Sequence, residues 1–250
     1  MEPVIVIPAL GDNFAYLFRY EKNKAIAVDP ADARLVLNEI KRHNLQLTAL
    51  LATHCHWDHT AGIKELKNRT NCPVIIGNQA LIDGPILEFG NFRVKIITTP
   101  GHTADSVCFY IEPSENNEGI VFTGDTLFIA GCGRPIGSDA GTMWGSLEKL
   151  AALPDDTLVY PGHNYTEENY QFALTIEPEN KTVQRLLEDI RQKKRQGKGK
   201  PTVPSTIGTE KQTNVFLRAN TPEIKAAVNM PKTRDAEAFA EIRRRKNIFG

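Results

Sequence analysis

Short runs of apolar residues, separated by Gly, Pro and Asp, fill the first two thirds of the chain. Their length and their content of β-branched residues predict β-strands. Two stretches with helical spacing of apolar residues, ARLVLNEIKRHN and MWGSLEKLAAL, lie between these runs. Strands that alternate with helices predict sheets covered by helices, which is an α/β layered architecture. The predicted strands are VIVIPAL, AYLFRY, KAIAVDP, TALLAT, CPVIIG, FRVKIITTP, SVCFYIE, GIVFTGD and TLVYPGH.

The pattern changes near residue 165. TEENYQFALTIEP is typical of a helix, and apolar residues at i, i+3, i+4 and i+7 between Val183 and Ile190 predict an amphipathic helix. QGKGKPTVPS interrupts this helix, and DAEAFAEIRRRKNIF predicts a last one. We therefore predict a catalytic domain over residues 1–165 and a small helical domain over residues 166–250.

Charge and cysteine content narrow the class of protein. Thirty basic and thirty acidic residues cancel among the 250 residues, so no overall field favours nucleic acid or an anionic membrane. The start of the chain lacks a signal-peptide pattern, and the four scattered cysteines favour a reducing compartment. We expect a cytoplasmic monomer with free thiols and with neither nucleic-acid nor membrane partners.

Histidines and aspartates follow several predicted strands directly. TALLAT leads into HCHWDH, while KIITTPG, LVYPG and GIVFTG each precede one further histidine or aspartate. If the strands end at one edge, these side chains converge on a single cleft. Imidazole and carboxylate ligands suit Zn²⁺, Mn²⁺ or Fe. The candidate ligands are His54, His56, Asp58, His59, His102, Asp125 and His163.

Seven ligands are too many for one tetrahedral ion and suit two ions that share a carboxylate. We predict that His54, His56 and His102 hold the first ion. The second ion then takes Asp58, His59 and His163, with Asp125 as the bridge. Two ions about 3.5–4 Å apart can hold a hydroxide between them for attack on a substrate.

Three further residues are not interpreted as metal ligands. Asp29, at the end of KAIAVDP, is the best candidate to orient a ligand histidine. His43 ends a predicted helix, where a capping role is the simpler interpretation. Cys55 alternates in direction with the ligands on either side, so we predict that its thiol points away from the ions.

The sequence resembles a known superfamily in its histidine motifs. THCHWDH, the later PGH, the GD and the final GH are similar to the motif series of the metallo-β-lactamase superfamily. This resemblance implies a four-layer αβ/βα sandwich with two metal ions at its open edge. The superfamily includes lactamases, nucleases and oxygenases, so the reaction requires further evidence.

Three further segments resemble glyoxalase II, the hydroxyacylglutathione hydrolases. They are LFIAGCGRPIG, GHNYTEEN and KPTVPSTIGTEKQTNVFLR. With the helical tail that this family adds to the core, the resemblance covers essentially the whole chain. It implies hydrolysis of S-D-lactoylglutathione to D-lactate and glutathione, the second step of methylglyoxal detoxification. A thioester suits this chemistry because its thiolate leaves readily and no strong acid is needed.

The resemblance also assigns roles to individual residues. Asp58 and Asp125 are implied as the catalytic carboxylates, and the two divalent ions are expected to be zinc, with iron or manganese as alternatives. Arg134, Tyr165 and Arg218 match positions that contact glutathione, whose carboxylates require cationic partners.

Some positions depart from the family pattern. Ile136 stands where an aromatic residue is usual, Val215 replaces a usual proline, and no lysine follows Arg218 within four residues. These departures concern contacts with glutathione and leave the metal ligands unchanged. We interpret the basic runs KKRQGKGK and RRRKN as solvated faces, although Lys246 is a candidate neighbour of the pocket. Cys132 is interpreted as a tight-turn residue.

Other functions remain alternatives at this point. The strongest is a glutathione-persulfide dioxygenase of the same fold, which would hold a single iron through two histidines and one carboxylate. A nuclease of the superfamily is disfavoured by the neutral charge. A noncatalytic carrier of glutathione or metal would not need a shared carboxylate.

Overall fold

The computed structural model describes residues 3–77, 84, 86–114, 117–197 and 201–249. Within these ranges, two mixed sheets face each other and helices cover their outer faces. The first sheet has the order β1-β2-β3-β4-β5, and the second has the order β13-β12-β9-β8-β7-β6. The strands of the first sheet are Val4–Ala9 (β1), Asn13–Glu21 (β2), Lys24–Val28 (β3), Gln46–Ala52 (β4) and Val74–Ile76 (β5). Those of the second are Ile86–Phe89 (β6), Phe92–Thr98 (β7), Val107–Ile111 (β8), Ile120–Gly124 (β9), Leu158–Pro161 (β12) and Ser205–Thr206 (β13).

A two-stranded hairpin and the helices complete the described fold. The hairpin consists of Leu127–Phe128 (β10) and Gly131–Cys132 (β11). The first helices are Ala33–Arg42 (α1), Trp57–Thr60 (α2), Ile63–Thr70 (α3) and Ala140–Ala151 (α4). After residue 165 come Thr166–Ile176 (α5), Lys181–Arg195 (α6), Ile207–Thr213 (α7), Pro222–Ala227 (α8) and Asp235–Asn247 (α9).

Alternation along the strands separates the layers, because successive side chains of a strand point to opposite faces. In β2, Phe14, Tyr16 and Phe18 enter the apolar cluster between the two sheets. Ala15 and Leu17 of the same strand join the cluster beneath α1 and α3. The arrangement is the predicted four-layer αβ/βα sandwich.

The helical tail packs on the outer face of the second sheet. Its buried rings of Phe172, Phe216 and Phe239 belong to one apolar cluster with Val121 and Val159 of the strands. Strand β13 also lies in the tail, and it pairs with β12 of the core. The division at residue 165 therefore stays a proposal about domains. Among the described helices, none is both long and apolar enough to span a membrane.

Strand direction brings several loops to one edge of the sandwich. Strands β3 and β4 run parallel, as do β9 and β12. Strand β7 also runs with β9, since each is antiparallel to β8 between them. Parallel strands end at the same edge, so the segments that follow these strands meet there.

Candidate metal centre

The structure brings the seven predicted ligands together at this edge. Nitrogen and carboxylate atoms within 4.8 Å of one another form three overlapping groups. Two of these groups are the predicted triads, and the remaining one connects His54 with His59 and Asp125. The groups are His54, His56 and His102; His54, His59 and Asp125; and Asp58, His59 and His163.

The first histidine group has the geometry of ligands around one ion. His56 Nδ1 lies 3.0 Å from His54 Nε2 and 3.1 Å from His102 Nε2. Nitrogens bound at about 2.0–2.1 Å to one tetrahedral zinc ion lie roughly 3.3 Å from each other. The ring planes of His56 and His102 are perpendicular, so the nitrogens converge while the rings stay apart.

Asp125 connects the two halves of the centre. Its Oδ2 lies 3.4 Å from His102 Nε2 and 3.3 Å from His163 Nε2, while its Oδ1 lies 3.3 Å from His59 Nε2. Asp58 Oδ2 approaches His163 Nε2 at 3.5 Å. One carboxylate thus reaches ligands of both predicted ions.

Two buried atoms of the centre lack hydrogen bonds. Within the described part of the chain, His59 Nε2 and Asp125 Oδ1 are both buried and face each other at 3.3 Å, but neither makes a hydrogen bond of acceptable geometry. Buried polar atoms are rarely left unpaired, because their desolvation is then not compensated. A divalent ion coordinated by this nitrogen and this oxygen satisfies both, so the residues fit a metal centre.

His54 and Asp125 have the protonation states that an ion requires. Burial and the neighbouring His59 lower the pKa of His54 to about 4, so its imidazole is neutral at pH 7. Burial alone would raise the pKa of Asp125, but the adjacent imidazoles of His163 and His59 outweigh it and hold that pKa well below its ordinary value. A neutral imidazole and an ionised carboxylate are the forms that bind metals. In His59 and His163, burial lowers the pKa of the imidazole, but neighbouring carboxylates outweigh burial and raise it.

The second nitrogen of several ligand histidines is held by a fixed oxygen. Such bonds set the orientation and tautomer of a ligand ring. The predicted Asp29 does this for His59, with Oδ2 3.0 Å from His59 Nδ1. Asp29 is buried and has a φ of +49°, a conformation that a non-glycine residue adopts at a cost of about 1–3 kcal/mol. The other pairs are His54 with Thr53 Oγ1, His102 with Arg134 O, and His163 with Asp12 Oδ1.

Two residues where β2 begins, Asp12 just before the strand and Asn13 as its first residue, were not predicted from the sequence. Asp12 orients His163, and Asn13 donates from Nδ2 to Asp58 Oδ2 at 3.1 Å. The sequence signal for them was weak, since polar residues before a strand are common in turns. Their role depends on a bridge between Asn13 and His163 that joins the two sheets.

Glycines allow the backbone to approach the ligands. A Cβ atom at Gly162 would lie 2.4 Å from Asp125 Oδ1 and 2.6 Å from His59 Cε1. A Cβ atom at Gly133 would lie 2.0 Å from the Asp125 carbonyl oxygen. Both positions therefore exclude any side chain, which explains the GH and GCG motifs in physical terms.

A cavity of about 290 Å³ opens beside the ligands His102 and Asp125. Phe128 and Tyr165 form an aromatic wall, in which the Tyr165 ring stacks on His163 at 4.9 Å between centroids. Three cationic side chains also line the cavity: Arg134, Arg243 and Lys246. The predicted Arg134 and Tyr165 thus lie beside the ligands.

Arg218 requires a correction, because it does not share this cavity. Its guanidinium forms a two-bond ion pair with Glu177, with Nη2 donating to Oε1 at 3.0 Å. Its Nη1 also donates to the carbonyl oxygen of Gln212. This partly buried pair holds the end of α5 against the segment that follows α7, so Arg218 supports the fold. We replace Arg218 with Arg243 as the candidate contact of the helical tail.

Arg243 was not predicted as a cavity residue, although the sequence shows its helical spacing from Lys246. Arg243 and Lys246 are three residues apart on α9 and therefore lie on the same helix face. Arg243 Nη1 donates to the Cys132 carbonyl oxygen at 2.9 Å, which fixes the guanidinium at the cavity. Lys246 contacts the Glu168 carboxylate. The run RRRKN is therefore only partly the solvated face that the sequence predicted.

The thiols near the centre are unsuited to nucleophilic attack. Burial and Asp105 raise the pKa of Cys55 to about 11, and burial raises that of Cys132 to about 11. Neither side chain is a thiolate at neutral pH. His43 lies away from the centre, 3.3 Å from Glu39 Oε2 at the end of α1.

The chain matches two protein-family models. "Metallo-beta-lactamase superfamily" matches residues 9–82 and 80–163, and "Hydroxyacylglutathione hydrolase C-terminus" matches residues 164–249. The chain is similar to a hydroxyacylglutathione hydrolase from Methylococcus capsulatus, with 40% identity covering 100% of this chain and 99% of that one. It is 39% identical to one from Rhodopseudomonas palustris (strain HaA2), with 97% of each chain covered.

Solved structures show the same fold at lower identity. ETHE1 from Myxococcus xanthus is similar with a TM-score of 0.66 and 23% identity, covering 98% of this chain and 92% of that one. TTHA1623, solved in a di-iron-bound form, is similar with a TM-score of 0.58 and 23% identity, covering 86% of this chain and 100% of that one.

Proposed function

The chain belongs to the hydroxyacylglutathione hydrolase family of the metallo-β-lactamase superfamily, and we infer that it is a thioester hydrolase that cleaves S-D-lactoylglutathione to D-lactate and glutathione. The observation that carries this function is the cavity itself. It places the metal ligands His102 and Asp125 beside cationic side chains of the helical tail. The proposed substrate has a thioester carbonyl group that metal ions can activate and, some distance away, carboxylates that cationic side chains can bind. It therefore needs both kinds of residue.

The three ligand groups, together with the membership of the superfamily, imply a binuclear site for divalent metal ions. Zinc is the proposed occupant, with iron or manganese as alternatives that the same histidines and carboxylates accept. Two ions held by these histidines and carboxylates would polarise the thioester carbonyl group and would acidify the attacking water. Asp58 and Asp125 are the proposed catalytic carboxylates, since each lies within 3.5 Å of a ligand nitrogen of His163.

The aromatic wall orients the substrate beside the ions. Burial, followed by the nearby Asp12, raises the pKa of the Tyr165 hydroxyl well above its ordinary value. Tyr165 therefore stays protonated and can donate a hydrogen bond to the substrate. The ring of Phe128 packs edge-on against Tyr165 at 5.3 Å and keeps that hydroxyl in place.

Arg134, Arg243 and Lys246 are the proposed partners of the glutathione carboxylates. All three line the cavity, and Arg243 is buried and anchored to the Cys132 carbonyl oxygen. A guanidinium keeps its charge at every relevant pH and binds carboxylates through directed hydrogen bonds. The tail thus holds the substrate while the core carries out the chemistry.

Loss of thioester absorbance from S-D-lactoylglutathione tests this function. The matched control is an S-acyl thiol that lacks the γ-glutamyl and glycyl parts. We expect rapid hydrolysis of the first and a much higher KM for the second. Equal kcat/KM for both would contradict a glutathione pocket, and no hydrolysis of either by the metal-loaded protein would contradict the thioesterase.

The dioxygenase alternative explains the centre less well. A single iron with two histidines and one carboxylate would leave most of the group Asp58, His59 and His163 without a metal to bind. The ligand atoms of these three residues nevertheless lie within 4.8 Å of one another. Oxygen consumption with glutathione persulfide discriminates the two functions directly. We expect none above background.

The proposed cellular setting is based on charge and cysteine content. We propose a cytoplasmic monomer without nucleic-acid or membrane partners, because the charges cancel and the cysteines are scattered. Cell fractionation and light scattering test these points. Expression of residues 1–165 alone would test the proposed domain boundary.

A further inference from the structure

The turn of the β10–β11 hairpin is buried and strained. Its residues Ile129 and Ala130 are almost fully enclosed. Ala130 has a φ of +54°, a region that residues with a side chain rarely occupy. Turns usually lie at the surface, where water satisfies their peptide groups. A buried turn needs protein partners for those groups instead.

Three buried side chains of the helical tail supply these partners. Glu210 Oε2 accepts from Ala130 N at 2.7 Å. Asn169 Nδ2 donates to the Ile129 carbonyl oxygen at 3.0 Å. Asn214 Nδ2 donates to the Gly131 carbonyl oxygen at 3.0 Å, and it also contacts Glu210 Oε2 at 3.0 Å. We call Asn169, Glu210 and Asn214 the hairpin cradle.

The same hairpin reaches the metal centre from both of its ends. On β10, the Phe128 ring packs edge-on against His163 at 5.9 Å between centroids. Beyond β11, the Arg134 carbonyl oxygen accepts from His102 Nδ1 at 2.9 Å. A shift of the hairpin therefore moves a contact of one ligand and the hydrogen bond that orients another.

We propose that Glu210 is a positioning residue for the metal centre, which acts through the strained hairpin to hold the carbonyl group that orients His102. The proposal gives the helical tail a second role besides contact with glutathione. It rests on the proposed function only in that the metal centre performs the reaction.

The role of Glu210 is to accept hydrogen bonds rather than to supply charge. One carboxylate oxygen accepts from two N–H groups, and the other accepts from the Ser205 hydroxyl at 2.5 Å. Burial raises the pKa of this carboxyl to about 7, so part of the population is neutral under ordinary conditions. A neutral amide has an oxygen in the same place, and Glu210→Gln should therefore preserve the cradle.

Metal affinity of the full-length protein, measured by competition with a chromophoric zinc chelator, tests the proposal independently of activity. Glu210→Met keeps the volume and removes the acceptor. Removing a group that orients a metal ligand weakens binding by roughly 10–100-fold, and we expect about 10-fold here because Glu210 acts through the hairpin. Glu210→Gln should bind zinc as the wild type does. For Glu210→Met, kcat should fall more than KM rises.

Thr213→Val is the matched control. Thr213 is equally buried on the same helix, but its hydroxyl donates to Thr209 O within that helix. Wild-type zinc affinity in folded Glu210→Met, or an equal loss in Thr213→Val, would overturn the proposal. If Glu210→Met does not fold, Asn169→Ala, which removes the bond to the Ile129 carbonyl oxygen from the cradle, should weaken zinc binding in the same direction. Failure of the wild type to hydrolyse the thioester would refute the proposed function and leave this comparison intact.

Discussion

The free energy of unfolding should depend on pH through Glu210. This carboxyl is fully buried, and its pKa is raised from the ordinary value of 4.5 to about 7. Between these pH values the unfolded chain has released a proton that the folded protein still holds. The stabilisation is complete below pH 4.5 and is lost as the pH rises through 7. Glu210→Gln removes this dependence, since an amide does not titrate.

The structure sets the size of the effect. A pKa raised from 4.5 to about 7, at about 1.4 kcal/mol for each pKa unit, corresponds to about 3 kcal/mol. No discount for solvent screening applies, because the side chain has no exposure. A change of this size is large beside the roughly 5–15 kcal/mol that stabilises a typical domain.

Urea unfolding of the wild type and Glu210→Gln, at matched metal loading and from pH 4.5 to 8, measures this dependence. Other titrating groups cancel in the difference between the two proteins. We expect Glu210→Gln to gain about 3 kcal/mol relative to the wild type over that range. A difference that stays constant with pH would show that Glu210 is ionised in the folded protein throughout, and that its hydrogen bonds compensate for burial.

Four further variants test the site. Asp125→Ala removes the carboxylate between the two ligand groups, so elemental analysis should show less bound metal and kcat should fall by several orders of magnitude. Unchanged metal content would contradict the binuclear centre. Gly162→Ala places a methyl group 2.4 Å from Asp125 Oδ1, so metal content should fall while the circular dichroism spectrum stays unchanged. Arg243→Ala should raise KM for the glutathione thioester about 10-fold with little change in kcat, whereas Arg218→Ala should lower the unfolding midpoint and leave KM unchanged. Equal effects of the two arginine variants on KM would refute the correction of Arg218.

The convergence of the candidate metal ligands could be predicted from the sequence because the signal is local. A histidine or aspartate directly after an apolar run marks the end of a strand, and parallel strands end at the same edge. His54, Asp125 and His163 each follow this rule. The layered fold was predictable for the same reason, since strand and helix periodicities are properties of short segments.

The candidate substrate contacts were harder to predict, because the charge of a side chain does not reveal which group it pairs with. Arg218 and Arg243 are both arginines of the tail. Glu177, at the end of α5, neutralises the first, and only tertiary structure brings that carboxylate within reach. The second is held by a backbone carbonyl oxygen of Cys132, which leaves no trace in the sequence.

The roles of buried polar residues were not predicted, because polar residue types usually lie at the surface. Glutamate is almost never fully buried unless it is paired, so Glu210 in TIGTEKQT carries no sign of its environment. The hairpin that it supports consists of two-residue strands, too short for a periodic signal. Asp12 was missed for a related reason, since its contact with His163 spans 151 positions of the chain.

Arg243 and Lys246 line the same cavity but should contribute unequally to substrate affinity. Arg243 Nη1 and Nε donate to the neutral acceptors Cys132 O and Asn247 Oδ1, and among the residues that the structure describes no carboxylate pairs with this guanidinium. A substrate carboxylate at Arg243 therefore does not have to displace an anion of the chain. Lys246 already pairs with Glu168, so a carboxylate there has to displace an anion of the chain itself. An exchange of one ion pair for another gains little free energy, and Arg243 should therefore provide most of the binding energy of the tail.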